Sequence, residues 1–474
     1  MNRGKELAKN TAIIAIGKVS TQFISFFLLP LYTAMLSTEE YGTVEVFNTC
    51  VALLLPVMTL QIEQGVFRFL VDARGEKKDQ QELITNAISF ILIQCAVCFF
   101  AFVIVSPLIH IDNKIYILIN MIANSLSMTL LQIARGVGSN AAYSVGSFLT
   151  AVSSIILNVL FIVGLRMGAE GMLLATFLGN LICCFYLVFR LKVYSFCKIK
   201  YLNRDILKKL LRYSLPLVPN AVSWWLVNAS DRLVVAGILG LEANGILSVA
   251  HKFPSVYASI YNIVNMTWVE SATMYMNKEG GEEYFDNMIN VLQKLFTSAF
   301  LGCVAVMPFV FSFLVNEAYQ DAYGLIPIYM LASAVNATVA LISVVYTVDM
   351  ATKEIAKTTI FAGVINIIVL IALIFVVGIY AAPISSAVAY LLMAVYRYFD
   401  GQKHYKFKFD PVFLVSAIVM FIFICVGYYS QSTVLHVGVL LITVIYCIYF
   451  NKKVLFDVKN IIGELIKRIQ GRNL

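Results

Sequence analysis

Residues 239–249 read LGLEANGILSV, and residues 36–46 read LSTEEYGTVEV. At an offset of 203, Leu36, Glu39, Gly42 and Val46 fall on Leu239, Glu242, Gly245 and Val249. Each stretch follows a long apolar segment and leads into another. Four identities in eleven positions carry little alone, but both stretches hold the same place in the order of apolar segments. A second echo lies downstream, where Gly168 opens the sixth segment and Gly378 lies near the start of the twelfth. The chain therefore reads as two copies of one six-segment unit, residues 1–190 and 214–399, joined by a basic linker at 191–213. Six is even, so both copies enter a bilayer from the same side, which predicts a pseudo-two-fold axis along the membrane normal.

Composition sets the class around that repeat. Hydrophobic residues make up 60% of the 474 and charged residues 13%, against about 25% charged in soluble domains. An all-α polytopic membrane protein is expected, because helices satisfy their own backbone inside hydrocarbon. Windows of about 20 apolar residues suggest fourteen spans, near 11–35, 42–66, 83–106, 115–137, 144–165, 169–190, 214–238, 244–270, 287–315, 323–348, 358–378, 380–399, 412–430 and 434–450. The last two lie outside the repeat, after a loop at 400–411, and an amphipathic tail occupies 451–474. The first apolar run is too long for a signal-peptide core and no small-residue cleavage site follows it.

Lysine and arginine positions orient the map. With the N-terminus cytoplasmic, 29 of the 35 fall on inner segments, eight of them in the 190–212 connection, and Arg397 is counted at the inner end of span 12. Only Lys114 and Arg166 fall outside, and Lys18, Arg232, Lys252 and Lys294 fall within spans. That asymmetry is a strong positive-inside signal, with both termini cytoplasmic. It also accounts for the net charge of +8 without a nucleic-acid partner. In the linker, Ile199, Leu202, Ile206 and Leu210 recur at helical spacing between lysines, as expected of a segment lying on an anionic leaflet.

The nine cysteines sit mostly in apolar runs, and Cys95 and Cys98 form a CxxC with no second pair or nearby His, so packing explains them. No HExxH, GxSxG or Walker-type pattern occurs. The informative polar residues lie inside spans. Span 1 carries Lys18, Gln22 and Ser25; span 2 carries Glu45, Asn48, Thr49, Thr59 and Glu63; span 4 carries Asn120, Asn124 and Ser127. Span 7 carries Asn220, Trp224, Asn228, Asp231 and Arg232; span 8 carries Ser248, His251, Lys252, Ser255, Ser259 and Asn262. Small polar residues commonly bond helix to helix. A charge at the bilayer centre costs about 2.5–3.5 kcal/mol on insertion scales, so it seeks a partner or a watery cavity. Lys18, Arg232 and Lys252 are candidate cavity cations, while Lys294, early in span 9, suits snorkelling to the interface. Asp231 and Arg232 are adjacent, about 100° apart on a helix, so they cannot share one direction.

Three stretches carry a family resemblance: KNTAIIAIGKVSTQFISFFLLPLYTAMLSTEEYGTVEVF at 9–47, PNAVSWWLVNASDRLVVAGILGLEANGILSVAHKF at 219–253 and MATKEIAKTTIFAGVINIIVL at 350–370. Together the chain resembles the polysaccharide-transport (Wzx-type) flippases of the MOP superfamily. The resemblance implies a two-lobed helical bundle working by alternating access in a bacterial cytoplasmic membrane. It implies an undecaprenyl-diphosphate-linked oligosaccharide as substrate, moved to the outer leaflet for O-antigen, capsule or exopolysaccharide assembly. Polymerase and chain-length machinery of the same pathway are the implied partners, alongside membrane lipids. No cofactor is implied beyond an ion gradient or membrane potential. On that reading Lys18, Arg232 and Lys252 hold the diphosphate, and Asn48, Asn228 and Trp224 contact sugars. Trp225 and Trp268 are further stacking candidates, with packing the alternative. Asp231 and Glu45 either carry a coupling ion or pair with a neighbouring cation.

Two related functions compete, a lipid II flippase and a MATE-type cation-coupled exporter of small molecules. The mixed charge of the candidate lumen and the fourteen spans favour the oligosaccharide flippase over the exporter. A membrane-bound sugar polymerase is a third class. Its outside loops would need room for an active site, and every outside loop here is short, so no enzyme is expected.

Overall fold

The computed structural model describes residues 26–108, 113–276, 279–349, 351–430 and 432–470. Across these the chain is helical, with no strand among the described residues. Most of the first expected span, including Lys18, lies outside them.

The chain divides into two compact units, residues 1–248 and 249–474. The first holds α1 (Leu29–Met35), α2 (Thr38–Thr59), α3 (Ile62–Asp72), α4 (Lys77–Val105), α5 (Ile115–Gly136), α6 (Asn140–Asn158), α7 (Gly168–Arg190), α8 (Arg204–Ser214) and α9 (Leu217–Leu239). Helix α10 (Leu241–Tyr275) begins in the first unit and ends in the second. The second continues with α11 (Gly281–Leu314), α12 (Ala322–Val348), α13 (Thr352–Val377), α14 (Ala381–Gly401), α15 (Pro411–Tyr428) and α16 (Thr433–Gln470).

Ten segments among the described residues are long and apolar enough to cross a bilayer. One of them, Lys353–Gly401, contains both α13 and α14. The two helices are separated by a single 3-10 turn, where Gly378 takes φ 59°, a value that favours glycine. Helices α9 and α10 stand at the positions of spans 7 and 8. Many side chains on these segments are apolar and exposed, such as Ile104 and Phe375, as expected of surfaces that face lipid.

Local chemistry explains the boundaries. Ser37 and Glu40 form a reciprocal capping box that starts α2: the Glu40 N–H donates to Ser37 Oγ at 3.1 Å and the Ser37 N–H to Glu40 Oε2 at 2.9 Å. Such a cap contributes about 0.5–2 kcal/mol. Asp410 starts α15, accepting from the Val412 and Phe413 N–H groups at 3.1 Å, with Pro411 in the first turn.

Four features differ from the sequence expectation. Span 2 is not one helix. Leu60 and Gln61 both take left-handed conformations, φ 49° and 55°, and split it into α2 and α3. Span 5 ends in a π-helical turn, Val159–Gly164. The 191–213 linker packs in part on protein. A short helix, Val193–Phe196, and a 3-10 turn, Ile199–Tyr201, precede the helix that begins at Arg204, and Leu210 is fully buried within the first unit's core against α3. Lys209 sits 4.5 Å above the Phe69 ring, and Phe69 meets Tyr213 edge-on at 5.7 Å. Of the expected stripe, Leu210 and Ile206 meet protein and Leu202 stays half exposed. Finally, Lys294 does not simply snorkel: its Nζ pairs with Asp410 Oδ2 at 2.7 Å.

Candidate functional site

Helix α2 runs antiparallel to α9, and two polar contacts fix their register. The Trp225 indole N–H donates to the Thr49 carbonyl at 3.0 Å, and two turns further along α9 Arg232 Nη1 donates to Glu45 Oε2 at 2.9 Å. The Glu45 side chain is 4% exposed and that of Arg232 18%. A charge-assisted bond of this length in a largely dry setting is among the stronger polar contacts available. Tyr41, fully buried one turn before Glu45, faces the same pair.

Beside this pair the first turn of α10 crosses the first turn of α2. A Cβ built on Gly42 would overlap the Leu241 carbonyl, and one built on Gly245 would overlap the Thr38 carbonyl. The two contacts are the same contact read in both directions at the 203 offset. Asn244 Nδ2 reinforces them by donating to the Gly42 carbonyl at 2.9 Å. Both glycines are required here because the backbones themselves touch.

Asp231 is 7% exposed. Its Oδ1 accepts from the Arg232 backbone N–H at 2.9 Å, while the Arg232 side chain turns to α2. The adjacent charges therefore point differently, as their helical spacing requires. Of the candidate residues, Glu45, Asp231 and Arg232 come together. Asn48, on the same helix as Glu45, is exposed, and the Trp224 side chain is about half exposed. Asn228 lies within α9. Lys252 is half-buried on α10 within the second unit. Lys18 lies outside the described residues.

The tryptophan reading divides. Trp268 is a core residue, 3% exposed and stacked on Phe285 at 5.4 Å with its N–H towards the Leu341 carbonyl, so it is not available to stack on a sugar. Trp225 acts as the strut between α9 and α2.

Two charged residues were under-read. Arg397, counted as a cation at the end of span 12, is not solvated but 3% exposed within α14. Its guanidinium donates to the Thr358 and Thr359 hydroxyls, the Ile355 carbonyl and Ser343, all neutral acceptors. Glu63 is 1% exposed at the start of α3. Its place in the span 2 stripe was visible, but its burial was not. Among the described residues, no cluster of three or more His, Cys, Asp or Glu side chains is placed to hold a metal ion.

This architecture is shared with known membrane transporters. The lipid II flippase MurJ, in an inward closed conformation, matches with a TM-score of 0.66 at 15% identity, over 94% of this chain and 98% of that one. An inward-facing multidrug resistance MATE family transporter of the MOP superfamily matches with a TM-score of 0.62 at 15% identity, over 82% and 97%. The outward-facing conformation of a MATE family transporter matches with a TM-score of 0.53, also at 15% identity, over 83% and 95%. At such identities the likeness is one of fold: this is a multi-pass helical membrane protein with the MOP-superfamily transporter architecture. The model of the polysaccharide biosynthesis protein family matches residues 7–269, more than half of the chain. The protein belongs to that family. No curated protein sequence matches it.

Proposed function

We propose that the protein is a flippase that moves polyprenyl-diphosphate-linked oligosaccharide units from the cytoplasmic to the outer leaflet of a bacterial cytoplasmic membrane, for surface polysaccharide assembly. On this reading both termini are cytoplasmic, residues 1–190 and 214–399 are the two repeats, and no covalent chemistry is performed. The physical need is plain, because a diphosphate and many sugar hydroxyls cannot cross hydrocarbon without losing their hydrogen bonds to water. The polyprenol tail needs no such help and stays in lipid.

The observation that carries the reading is the Glu45–Arg232 pair inside α2 and α9 of a polysaccharide biosynthesis family member. A guanidinium presents five donors in a planar fork suited to phosphate oxygens. Glu45 satisfies it when substrate is absent, and a diphosphate takes the place of Glu45 when substrate arrives. Lys18 and Lys252 supply further positive charge, and Asn48, Asn228 and Trp224 contact the sugars. Asp231 keeps the site near neutrality between substrates. The fold likeness to a lipid II flippase supports a second substrate of the same chemistry, lipid II itself, which carries a polyprenyl diphosphate too.

Complementation of a strain lacking this gene tests the proposal. Arg232→Ala protein that is present in the membrane at normal level is expected to leave the surface polysaccharide missing. Normal polymer with Arg232→Ala contradicts a substrate role for the residue.

A further inference from the structure

Glu63 poses a problem that the substrate reading does not use. It lies inside span 2, in the first turn of α3 and immediately after the Leu60–Gln61 break. Ile62, Glu63, Gly65 and Val66 are all buried, and the Leu210 carbonyl of α8 closes over Gly65. Neither carboxyl oxygen of Glu63 has a hydrogen-bond partner. Several charged groups on the packed elements are engaged elsewhere. On α3 itself Arg68 pairs with Asp72 at 2.6 Å; on α4 Lys78 lies 3.9 Å from Glu82; on α5 Arg135 sits over Phe67 at 4.5 Å; on α8 Lys209 sits over Phe69. On α2 Glu45 holds Arg232.

A bare carboxylate in such a place is very costly, whereas a protonated carboxyl is tolerable. The α3 N-terminus offers only partial compensation. A metal cation does not resolve the problem, since a dehydrated ion needs a shell of several oxygens, and among the described residues no cluster of His, Cys, Asp or Glu surrounds this carboxyl, whose polar neighbours are the Thr59 hydroxyl and its own helix backbone. The neighbouring break supplies the means of change. Two left-handed non-glycine residues in succession cost about 1–2 kcal/mol each, so the joint between α2 and α3 is the weak point of this span, where hydration and re-closure are cheapest.

We propose that Glu63 is a proton-carrying carboxyl, protonated while buried as here and deprotonated when the 60–61 joint opens to water. The carboxylate takes up one proton and releases the same proton; no other bond is made or broken. Coupling of that proton to substrate movement rests on the transport reading, but the carboxyl's proton exchange does not.

The test uses the full chain reconstituted in liposomes without any lipid-linked oligosaccharide. An imposed pH gradient is followed with a trapped pH-sensitive dye, and proton-dependent infrared difference spectra are recorded on the purified protein. Wild-type protein is expected to dissipate the gradient faster than protein-free vesicles, and to show a protonated-carboxyl carbonyl band. E63Q, an uncharged isostere, is expected to fall to the protein-free rate and lose that band. E63D retains an acid and is expected to retain flux with a displaced pH midpoint. Wild-type flux persisting in E63Q, or a carboxyl band unchanged by E63Q, overturns the assignment. Should E63Q fail to fold, the wild-type band and the E63D midpoint decide, and absence of either effect overturns it. Absence of substrate flipping by a wild-type protein that still shows Glu63-dependent flux defeats the flippase reading alone.

Discussion

Arg232 and Glu45 are the residues on which the proposed site turns. Removing Glu45 strands a guanidinium that is 18% exposed; breaking one side of a buried pair costs about 3–5 kcal/mol, and the residual exposure places Glu45→Ala at the lower end. The double variant, Glu45→Ala with Arg232→Ala, is expected to be more stable than the two single losses added together, with a coupling of about 0.5–3 kcal/mol. Thermal unfolding in detergent measures all four proteins, and strictly additive losses would show the pair to be energetically idle. Asp410 gives a second residue-scale prediction. Lys294 beside it, and the N–H groups it caps, hold its carboxyl below the ordinary carboxylate range. A group with a lowered folded pKa contributes stability that is complete above its unfolded pKa and lost as pH falls through the folded one. Wild-type unfolding temperature is therefore expected to drop at the acid end more steeply than that of Asp410→Asn, and Asp410→Ala is expected to lose a further cap of about 0.5–2 kcal/mol. Identical acid profiles for wild type and Asp410→Asn would refute this. Sequence reading reached Asp231 and Arg232 because charge inside an apolar run is visible. It left open whether Glu45 carries an ion or answers a cation, since that depends on how α2 and α9 register. It under-read Arg397 for the same reason, because a cation near a span end looks solvated until three hydroxyls from neighbouring helices close on it.

At the scale of the element, the α2–α10 crossing and the α2–α3 break carry the account. Gly42→Ala and Gly245→Ala each drive a Cβ into a carbonyl, so both are expected to destabilise the protein and impair export. Gly237→Ala is the control: a Cβ there meets nothing within 4 Å, and the exchange is expected to be neutral or stabilising by up to about 1 kcal/mol. Equal effects of all three on unfolding temperature would argue against a close crossing. Both glycines were visible as repeated positions in 36–46 and 239–249, but the reason for them is a backbone contact that no pattern of side chains reveals. The break was invisible. Leu60 and Gln61 are ordinary residues, and the one local breaker, Pro56, lies inside α2. Packing of α3, the second half of span 2, against α5 and α8, rather than local propensity, accounts for it.

For the whole molecule, the membrane class and helical architecture followed from composition and apolar periodicity, because hydrocarbon imposes a simple rule on long segments. The expected orientation rests on 29 cations assigned to inner segments, of which Arg397 proves buried within α14, and cysteine labelling tests it: a cysteine replacing Glu39 is expected to react from outside, and one replacing Lys78 only after permeabilisation. The reverse pattern overturns the topology. The central claim is movement of a lipid-linked oligosaccharide between leaflets. Its most direct test is a leaflet assay in proteoliposomes holding a polyprenyl-diphosphate oligosaccharide, in which an impermeant glycan-modifying reagent counts the outward-facing headgroups. Wild-type protein is predicted to expose the protected inner pool, while Arg232→Ala leaves it protected. An inner pool that stays protected with folded wild-type protein, or is exposed equally by Arg232→Ala, contradicts the account.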